Sequence, residues 1–442
     1  MSDLLDSMTT EQMAAAMAPE DRVYVEAPPG SGKTRVLAAR VVWLIQMQHV
    51  PPERIRCLTF TRAACAEIKI RVAEATSPAI ANRVQIFTFH GFAADHVVPK
   101  GVRVATEAES DAAIASLYDG PMRRPRARLP GIRRLREIIS ELDADAAVLG
   151  TLSVHDQAAR SHVITRLATS GLVPVWMVLE LLDSGNVVTM PPPVEHVLVD
   201  EAQDVTPLEQ HATIDHEAAH VFAVYDPLQA IMGWRGATGI AGAPDKTYRL
   251  TRTFRFGGPA FQHANRLATW ITGSNPMAEH FAQPRTRISF FDDAHALAKY
   301  LGHRVYDPRQ KRIAVLCRTH AECEWFTKAI DGAEVYDAAA ADPLRAIHVE
   351  RDPLGDPLAS EADRFEEIWK DGSIVVSTIH AFKGREADIV AVCGRRWSPE
   401  PEERRVYYVA CTRAKELLLL ESIPEWVGDP RAQLNLDGGN RG

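Results

Sequence analysis

The sequence predicts an α/β protein with two parallel sheets, the first of which carries a mostly helical insertion. Three observations lead to this prediction. Short apolar, β-branched runs alternate with helix-length segments in both halves of the chain, as in sheets joined by crossover helices. A glycine-rich turn joins the first apolar run to a long amphipathic segment. Between about residues 99 and 193, in contrast, the periodicity is helical and is interrupted only by Pro and Gly.

Composition places the chain among ordinary globular proteins. Of its 442 residues, 46% are hydrophobic and 24% are charged, which suits a folded chain of about three domains. The net charge of -8 argues against a basic nucleic-acid coat but leaves room for a local basic groove. The six cysteines include no C-x-x-C pair, and the acidic N-terminus lacks the apolar core of a signal peptide. We therefore expect a cytoplasmic protein without disulfides, a zinc site or a membrane span.

The first α/β unit begins with a short helix predicted at 8–18, where Thr9 or Thr10 can serve as the N-cap. A strand at 23–25 precedes the glycine-rich turn, and a helix at 35–47 follows it. The further strands expected in this unit are 54–60, 84–88, 197–199 and 221–225.

The glycine-rich turn reads Glu-Ala-Pro-Pro-Gly-Ser-Gly-Lys-Thr and fits the phosphate-binding spacing G-x-x-x-x-G-K-[ST], with Ala27 in the first glycine position. Gly30 and Gly32 let backbone N–H groups turn inward around an anion, which the helix N-terminus also favours. Lys33 can reach the β- and γ-phosphates of a nucleotide, and the Thr34 hydroxyl can bind Mg²⁺. Because the turn stands between an apolar strand and a helix, a chance glycine-rich turn explains it poorly.

A pair of carboxylates follows the strand at 197–199. Asp200 can hold Mg²⁺, and Glu201 can orient and polarise an attacking water, which is the chemistry that triphosphate hydrolysis needs. A solvated turn or N-cap is the alternative. That alternative does not explain why a buried strand delivers two carboxylates together.

Other polar residues follow predicted strands, at the edge where open α/β sheets bind ligands. Thr61 and Arg62 follow the second strand, and Gln229 follows the strand at 221–225, where its amide can sense a γ-phosphate. Trp234 beside Arg235 suits base stacking combined with phosphate contact on single-stranded nucleic acid. A buried structural tryptophan is a strong competing interpretation of that segment.

The insertion is expected to contain helices at 107–118, 132–142, 155–170 and 175–183. It also carries a run of arginines, which is either a phosphate-contacting patch or a solvated face, and the sequence leaves the two open. The arginines of this run are Arg123, Arg124, Arg126, Arg128, Arg133, Arg134 and Arg136.

The second α/β unit is expected to open with an extended run at 250–256. A segment rich in Pro and Asp at 337–372 has weak periodicity and is predicted to be a surface connection. Arg255, Arg318 and Arg413 fit the guanidinium groups with which a second domain neutralises charge on a bound triphosphate. The strands predicted here are 287–291, 312–317, 373–377, 389–392 and 417–420, and the helices are 259–270, 293–301, 321–330 and 402–415.

Taken together, these segments resemble superfamily 1A DNA helicases of the UvrD/Rep/PcrA type. The resemblance covers both motor domains, with the motifs in order, and the segment EERRVYYVACTRAK near the C-terminus is its most specific part. It implies two RecA-like P-loop domains and a helical 1B-like insertion. Family members usually carry a large helical subdomain, 2B, between the positions of Arg318 and Thr378, where this chain has only about sixty residues. The implied layout is domain 1A at 1–97 and 192–247, the insertion at 98–191 and domain 2A at 248–442, with 2B reduced to a short connection near 337–372.

The resemblance also implies roles for individual residues. ATP with Mg²⁺ would be the cofactor, with Thr34 and Asp200 as metal ligands and Phe254 stacking on adenine. The catalytic groups would be Lys33, Glu201, Gln229, Arg255 and Arg413. The nucleotide would be bound by Gln12, Ala27, Pro28, Pro29, Gly30, Ser31, Gly32, Lys33, Thr34, Arg35, Phe254 and Glu386. The DNA strand would be contacted by Phe60, Thr61, Arg62, Thr88, His90, Trp234, Arg235, Thr378, His380 and Lys383.

The implied function is an ATP-dependent DNA helicase or translocase that moves 3′ to 5′ in DNA repair, recombination or replication. Its partners would be single-stranded DNA, junctions with duplex and a protein that loads it, and it would be a monomer or weak oligomer. Two alternatives stay open: a translocase or partner-dependent subunit with little intrinsic unwinding, and an ATP-switched DNA-binding module. The chain departs from the family at Tyr225, where a glycine is usual, and at Thr253-Phe254-Arg255-Phe256, where Asn-Tyr-Arg-Ser is usual. Because an aromatic ring and an arginine remain, we expect the ATPase chemistry to be retained.

Overall fold

The structure is a computed structural model of the chain. Both the arginine run at 123–136 and the helix predicted at 132–142 lie outside the residues that it describes. The described residues are 3–105, 107–116, 154–215, 219–274, 277, 279–280, 286–302, 310–331, 346–349, 368–370, 372–394, 397–421 and 423–427.

The secondary structure agrees with the α/β prediction. In chain order the strands are β1 Arg22–Glu26, β2 Ile55–Thr59, β3 Gln85–Thr88, β4 Arg103–Val104, β5 Leu172–Val173, β6 His196–Val199, β7 His220–Tyr225, β8 Lys246–Arg249, β9 Arg252–Thr253, β10 Glu279–His280, β11 Arg287–Phe290, β12 Ile313–Cys317, β13 Ala346–Val349, β14 Ile374–Thr378, β15 Ala387–Val392 and β16 Ala414–Leu420. The helices are α1 Asp3–Asp6, α2 Thr10–Ala16, α3 Lys33–Gln46, α4 Arg62–Ala75, α5 Pro78–Ala81, α6 Phe89–Val97, α7 Glu107–Ala115, α8 Val154–Ala168, α9 Val175–Asp183, α10 Pro207–Gln210, α11 Gly258–Thr272, α12 Ala294–Gly302, α13 His320–Asp331 and α14 Pro401–Cys411.

The first sheet is parallel, and over the described residues its strand order is β3-β2-β6-β7-β1-β8. Every residue of β2 is buried, because helices cover both faces of the sheet. All the strands point the same way, so the turns that follow β1, β2, β6 and β7 meet at one edge. This edge therefore receives the phosphate loop, Thr61, the acidic pair and Asp226 together.

The connection between the two sheets differs from the prediction. The first sheet extends through β8, which pairs with β1, so it reaches Arg249. The run at 250–256, predicted to be extended throughout, has only the two-residue strand β9, which pairs with β10. Its next residue, Phe254, donates its backbone N–H to the Gly30 carbonyl at 2.8 Å. A long strand is absent from this described run because its backbone bonds to the phosphate loop instead.

The second sheet is also parallel, with the described strands in the order β11-β16-β15-β12-β14-β13. β13 lies inside the segment at 337–372, and it pairs with β14 along the sheet edge. The expectation of a surface connection is therefore wrong at these four residues. The helix predicted at 402–415 is shorter than expected. α14 ends at Cys411 and β16 begins at Ala414, so Lys415 lies on a strand.

The described part of the insertion packs on the first unit. α9 lies against α6, and the buried Trp176 and Leu179 join the same core as Phe92. The short strands β4 and β5 pair and tie the two ends of the insertion together. All six cysteines are free thiols. Among the described helices, none is long and apolar enough to cross a membrane.

Candidate nucleotide and nucleic-acid sites

The phosphate loop has the backbone that its glycines predict. Gly30 and Gly32 adopt positive φ angles of 72° and 86°, which favour glycine. Helix α3 starts directly after Gly32 and has no side-chain N-cap, so its first N–H groups point at the loop without a side-chain acceptor. Lys33 Nζ lies across the loop, 3.3 Å from the Ala27 carbonyl oxygen. These features form a cradle for an anion, and a triphosphate fits it.

The loop is also tied to the segment that leads into the second domain. A Cβ atom on Gly30 would lie 2.5 Å from Arg255 Cβ and 2.7 Å from Thr253 Oγ1, so a side chain has no room there. Thr253 Oγ1 donates to the Pro29 carbonyl at 2.8 Å. The departure from Asn at this position is therefore accommodated, because the threonine hydroxyl itself holds the loop.

The acidic pair faces the loop as predicted. Thr34 Oγ1 donates to Asp200 Oδ2 at 3.1 Å, so a hydroxyl and a carboxylate oxygen stand side by side, a donor set that suits Mg²⁺. Among the described residues no cluster of three His, Cys, Asp or Glu side chains could hold a metal ion. A Mg²⁺ site here would need phosphate oxygens and water to complete it.

The two carboxylates differ in electrostatic environment. Burial and the adjacent Glu201 carboxylate raise the pKa of Asp200. Burial alone would raise the pKa of Glu201. The nearby positive charges of Lys33 and Lys383 outweigh burial, and the pKa is lowered. Glu201 also has a left-handed backbone with φ of 51°, a conformation that non-glycine residues adopt rarely. Its carboxylate accepts from Gln203 Nε2 at 2.6 Å, which fixes its direction.

The second domain contributes two arginines to the same site. Arg413 is 2% exposed, and its guanidinium donates to Gln229 Oε1, while Gln229 Nε2 donates to Asp226 Oδ2 at 2.7 Å. Burial and the nearby Arg255 lower the pKa of Arg413 to about 9, so it stays charged at neutral pH in a site that favours an incoming anion.

Arg255 makes a second link across the cleft. Its Nε donates to Glu386 Oε2 at 2.7 Å, and Lys415 Nζ lies 2.5 Å from the other oxygen of that carboxylate. Burial alone would raise the pKa of Glu386, but the charges of Arg255 and Lys415 lower it to about 2. The sequence does not predict Lys415 as a site residue, because it falls at the end of the helix predicted at 402–415.

One cavity of about 690 Å³ collects most of the predicted nucleotide-binding residues. Phe254, which is 44% exposed, lies on one wall. Gln12 lies on another wall, and its Nε2 donates to the Ser31 carbonyl oxygen at 2.8 Å. Three predicted loop residues, Ala27, Pro28 and Ser31, are buried and do not line this cavity. The predicted residues that line it are Gln12, Pro29, Gly30, Gly32, Lys33, Thr34, Arg35, Glu201, Gln229, Phe254, Arg255, Glu386 and Arg413. Residues that the sequence did not single out also line it: Glu67, Arg71, Gly384, Asp388, Lys415 and Glu416.

A groove of about 410 Å³ opens beside this cavity, between the two sheets. Trp234 is 44% exposed there, so the interpretation of Trp234 as a buried structural residue is wrong. The predicted DNA-contacting residues that line the groove are Phe60, Thr61, Trp234, Arg235, Thr378, His380 and Lys383. Residues that the DNA-contact prediction missed also line it, notably Met232, Arg318, His320 and Arg385.

Three predicted DNA-contacting residues lie elsewhere. Thr88 is 6% exposed and is the N-cap of α6, accepting the Gly91 N–H at 3.0 Å. His90, in the first turn of α6, and Arg62, exposed in the first turn of α4, are not part of the groove lining. The family resemblance predicted these residues as DNA contacts, and Thr88 instead serves as a helix N-cap.

Several cations of the groove are engaged within the protein. Arg235 pairs with the fully buried Glu209, and its guanidinium stands 5.3 Å from the Phe60 ring centroid. Arg318 pairs with Glu403 at 2.8 Å. Because Arg318 lines the groove and not the nucleotide cavity, its predicted place beside a triphosphate is wrong. Lys383 is 7% exposed and bonds to Asp204, so its predicted contact with DNA is not what this geometry shows.

Two parallel sheets that close a phosphate loop against arginines from a second domain define a two-domain P-loop protein of the RecA-like type. Comparison with known proteins adds two matches. Residues 8–165 match the UvrD/REP helicase N-terminal domain, and residues 373–420 match the UvrD-like helicase C-terminal domain. Two regions of the chain, one in each half, thus match domains of the UvrD-like helicases.

Its relatives are distant in sequence. DNA helicase II of Escherichia coli (strain K12) is 27% identical over 60% of this chain and 41% of the relative. DNA helicase IV of the same organism is 24% identical over 91% of this chain and 66% of the relative. The probable DNA helicase of Mycoplasma pneumoniae (strain ATCC 29342 / M129 / Subtype 1) is 24% identical over 95% of this chain and 84% of the relative. The chain thus spans less than half the length of DNA helicase II.

Proposed function

We propose that this protein is an ATP-dependent DNA motor that hydrolyses ATP between its two RecA-like domains and moves along single-stranded DNA. The observation that carries the proposal is the adjacency of the two cavities. Thr34, Glu67, Glu201 and Gly384 line both the nucleotide cavity and the groove. A change of the cleft on ATP binding or hydrolysis therefore reaches the walls of the groove directly.

The proposed ATP chemistry uses groups from both domains. The loop N–H groups and Lys33 bind the phosphates, and Thr34 with Asp200 would hold Mg²⁺, which supplies charge neutralisation and a template for the phosphates. Glu201, which stays ionised, orients the attacking water. Arg255 and Arg413 approach from the second domain and stabilise the charge that develops on the γ-phosphate. Hydrolysis then depends on closure of the cleft.

The proposed DNA contact is aromatic and sequence-independent. Phe60 and Trp234 line the groove from the first domain, His380 lines it from the second, and every base offers a face on which such rings can stack. The pattern Gln229…Trp234-Arg235-Gly236-Ala237 is similar to that of motors that move 3′ to 5′, and we propose that direction. Single-stranded DNA and its junctions with duplex are the proposed substrates.

Steady-state ATP hydrolysis with and without single-stranded DNA tests this function. The wild-type protein should be stimulated by DNA, and Lys33→Ala should lose turnover in both conditions because the phosphates lose their charged contact. Lys370→Met, a change at an exposed lysine outside both cavities, is the control and should match wild type. Nucleotide binding without DNA-stimulated turnover would contradict the motor and favour an ATP-switched DNA-binding module.

A translocase with little intrinsic unwinding is the second candidate. It is favoured by the short stretch between Arg318 and Thr378, about sixty residues, where the family usually carries the 2B subdomain. A translocation assay and a strand-displacement assay on the same preparation separate the two candidates. Movement without displacement identifies the translocase, and restoration of displacement by a second protein would indicate a loading partner.

A further inference from the structure

The Lys383 side chain crosses the cleft between the domains and is buried on the far side. It lies just beyond β14 in the second domain, yet its ammonium contacts Asp204, which follows β6 of the first. The side chains are only 5% and 6% exposed. Lys383 Nζ donates to Asp204 Oδ1 at 2.7 Å, and it also contacts Asp204 Oδ2 and the Gln229 carbonyl oxygen.

These contacts occupy the ammonium group. A lysine ammonium has three N–H donors and no acceptor, and here three oxygen atoms surround it. A DNA phosphate could take one of these donors only by displacing the Gln229 carbonyl oxygen or by weakening the contact with Asp204. Asp204 is 4% exposed and Gln229 1%, so either change would leave a buried oxygen atom with a weaker partner or with none. The position of Lys383 in the groove lining therefore does not make it a phosphate contact.

The same lysine holds the residue that faces the nucleotide. Gln229 is gripped by two cations of the second domain, Lys383 at its backbone oxygen and Arg413 at its side-chain oxygen. Gln203 completes the link in the first domain: its Nε2 donates to Glu201 at 2.6 Å, and its Oε1 accepts the Asp226 N–H at 3.0 Å. A continuous chain of polar contacts thus joins Lys383 to Glu201, and it passes through Gln229, Asp226 and Gln203.

The turn that carries Lys383 forms part of the groove wall. His380 and Ala381 line the groove, and Gly384 lines both the groove and the nucleotide cavity. A strand in the groove would contact this turn, and Lys383 links the turn to Asp204 and to Gln229.

We propose that Lys383 is a positioning residue that couples DNA occupancy of the groove to ATP turnover, by holding Gln229 and the acidic strand end to the DNA-lining turn. This inference rests on the proposed motor function. It assigns Lys383 to the step between DNA binding and hydrolysis, and removes it from the set of DNA contacts.

The test separates coupling from DNA affinity. Lys383→Met keeps the apolar stem and removes the charge, and Asp204→Asn removes the charge of its partner. For each variant we would measure the ATPase rate at saturating single-stranded DNA, the rate without DNA, and DNA affinity by fluorescence anisotropy at several salt concentrations. We expect at least a tenfold loss of the DNA-saturated rate, a DNA affinity within about twofold of wild type, and an unchanged salt dependence.

The double variant Lys383→Met/Asp204→Asn strengthens the test. It leaves no uncompensated buried charge, so it should fold even if a single variant does not, and its rate should be no lower than that of either single variant. Trp234→Ala serves as the comparison for a DNA contact, and its loss should appear in affinity. Circular dichroism melting of every variant guards against misfolding.

Two outcomes would overturn the inference. One is a weaker DNA affinity with a smaller salt slope in Lys383→Met, together with a normal rate at saturating DNA, which would make Lys383 a phosphate contact. The other is wild-type behaviour in all three measurements. Failure of the motor function itself is distinguishable, because the wild-type protein would then show no DNA stimulation.

Discussion

Gly30→Ala isolates the close approach between the phosphate loop and the arginine segment. Gly30 has a φ of 72°, and an added Cβ would lie 2.5 Å from Arg255 Cβ. Gly273 ends α11 with the same φ of 72°, but nothing lies within 4 Å of an added Cβ. Both alanine variants carry the left-handed backbone cost of about 1 kcal/mol. Only Gly30→Ala must also move Arg255, since ordinary carbon contacts begin about 1 Å further away.

The size of the effect follows from that displacement. A shift of about 1 Å in a positioned group can reduce turnover by about 100-fold. We therefore expect Gly30→Ala to lose about two orders of magnitude in the DNA-stimulated ATPase rate, and Gly273→Ala to hydrolyse ATP at the wild-type rate. Steady-state kinetics give both rates, and thermal melting gives the shared cost of the backbone. Equal turnover in the two variants would refute the argument that contact with Arg255 makes Gly30 necessary.

Four further predictions concern single residues. Arg413→Ala should reduce ATP turnover by about 10³-fold or more while ATP binding persists, because the guanidinium acts on charge that develops during hydrolysis; single-turnover kinetics beside equilibrium binding test this. Thr253→Val removes the hydroxyl that holds the loop and should reduce turnover more than the serine substitution does at the same position, in the steady-state assay; equal rates would contradict a role for the hydroxyl. Trp234→Ala should weaken single-stranded DNA binding by about 1–3 kcal/mol, whereas Trp270→Ala, at a similarly exposed tryptophan outside the groove, should not; anisotropy measures both. Burial lowers the pKa of His263 to about 4, below its ordinary 6.5, so the unfolded chain takes up the proton first; this should cost up to about 3 kcal/mol as the pH falls from 6.5 to 4, and melting curves of wild type and His263→Gln should converge at low pH.

The chain-local features could be predicted from the sequence. The phosphate loop is a short run in which spacing, glycines and flanking apolar residues all stand within a dozen positions, so the sequence by itself predicts Gly30, Gly32 and Lys33 as phosphate-binding residues. The N-terminal helix is similar: Thr9 caps α2 and forms a capping box with Gln12, as a local pattern allows. The alternation of apolar runs and helices gave both parallel sheets, because each element repeats its own period.

Short elements whose conformation depends on distant partners could not be predicted from local sequence patterns. β13 has four residues between segments rich in Pro and Asp, and only its pairing with β14 makes it a strand. The run at 250–256 has strand-forming residues, yet its backbone bonds to the phosphate loop. In both cases hydrogen bonds to distant residues decide the conformation, and propensity does not report them.

The sequence by itself therefore determined which chemical groups the protein offers: a phosphate loop, two carboxylates and arginines that follow later in the chain. Only the tertiary structure decided which cation serves which cavity. Arg318 stands in the groove, Lys383 is bound to Asp204, and Lys415 reaches Glu386, although all three are simply basic residues in the sequence. The reason is physical: a charged side chain pairs with the opposite charge that the fold places within about 3 Å, and that partner stands far away along the chain.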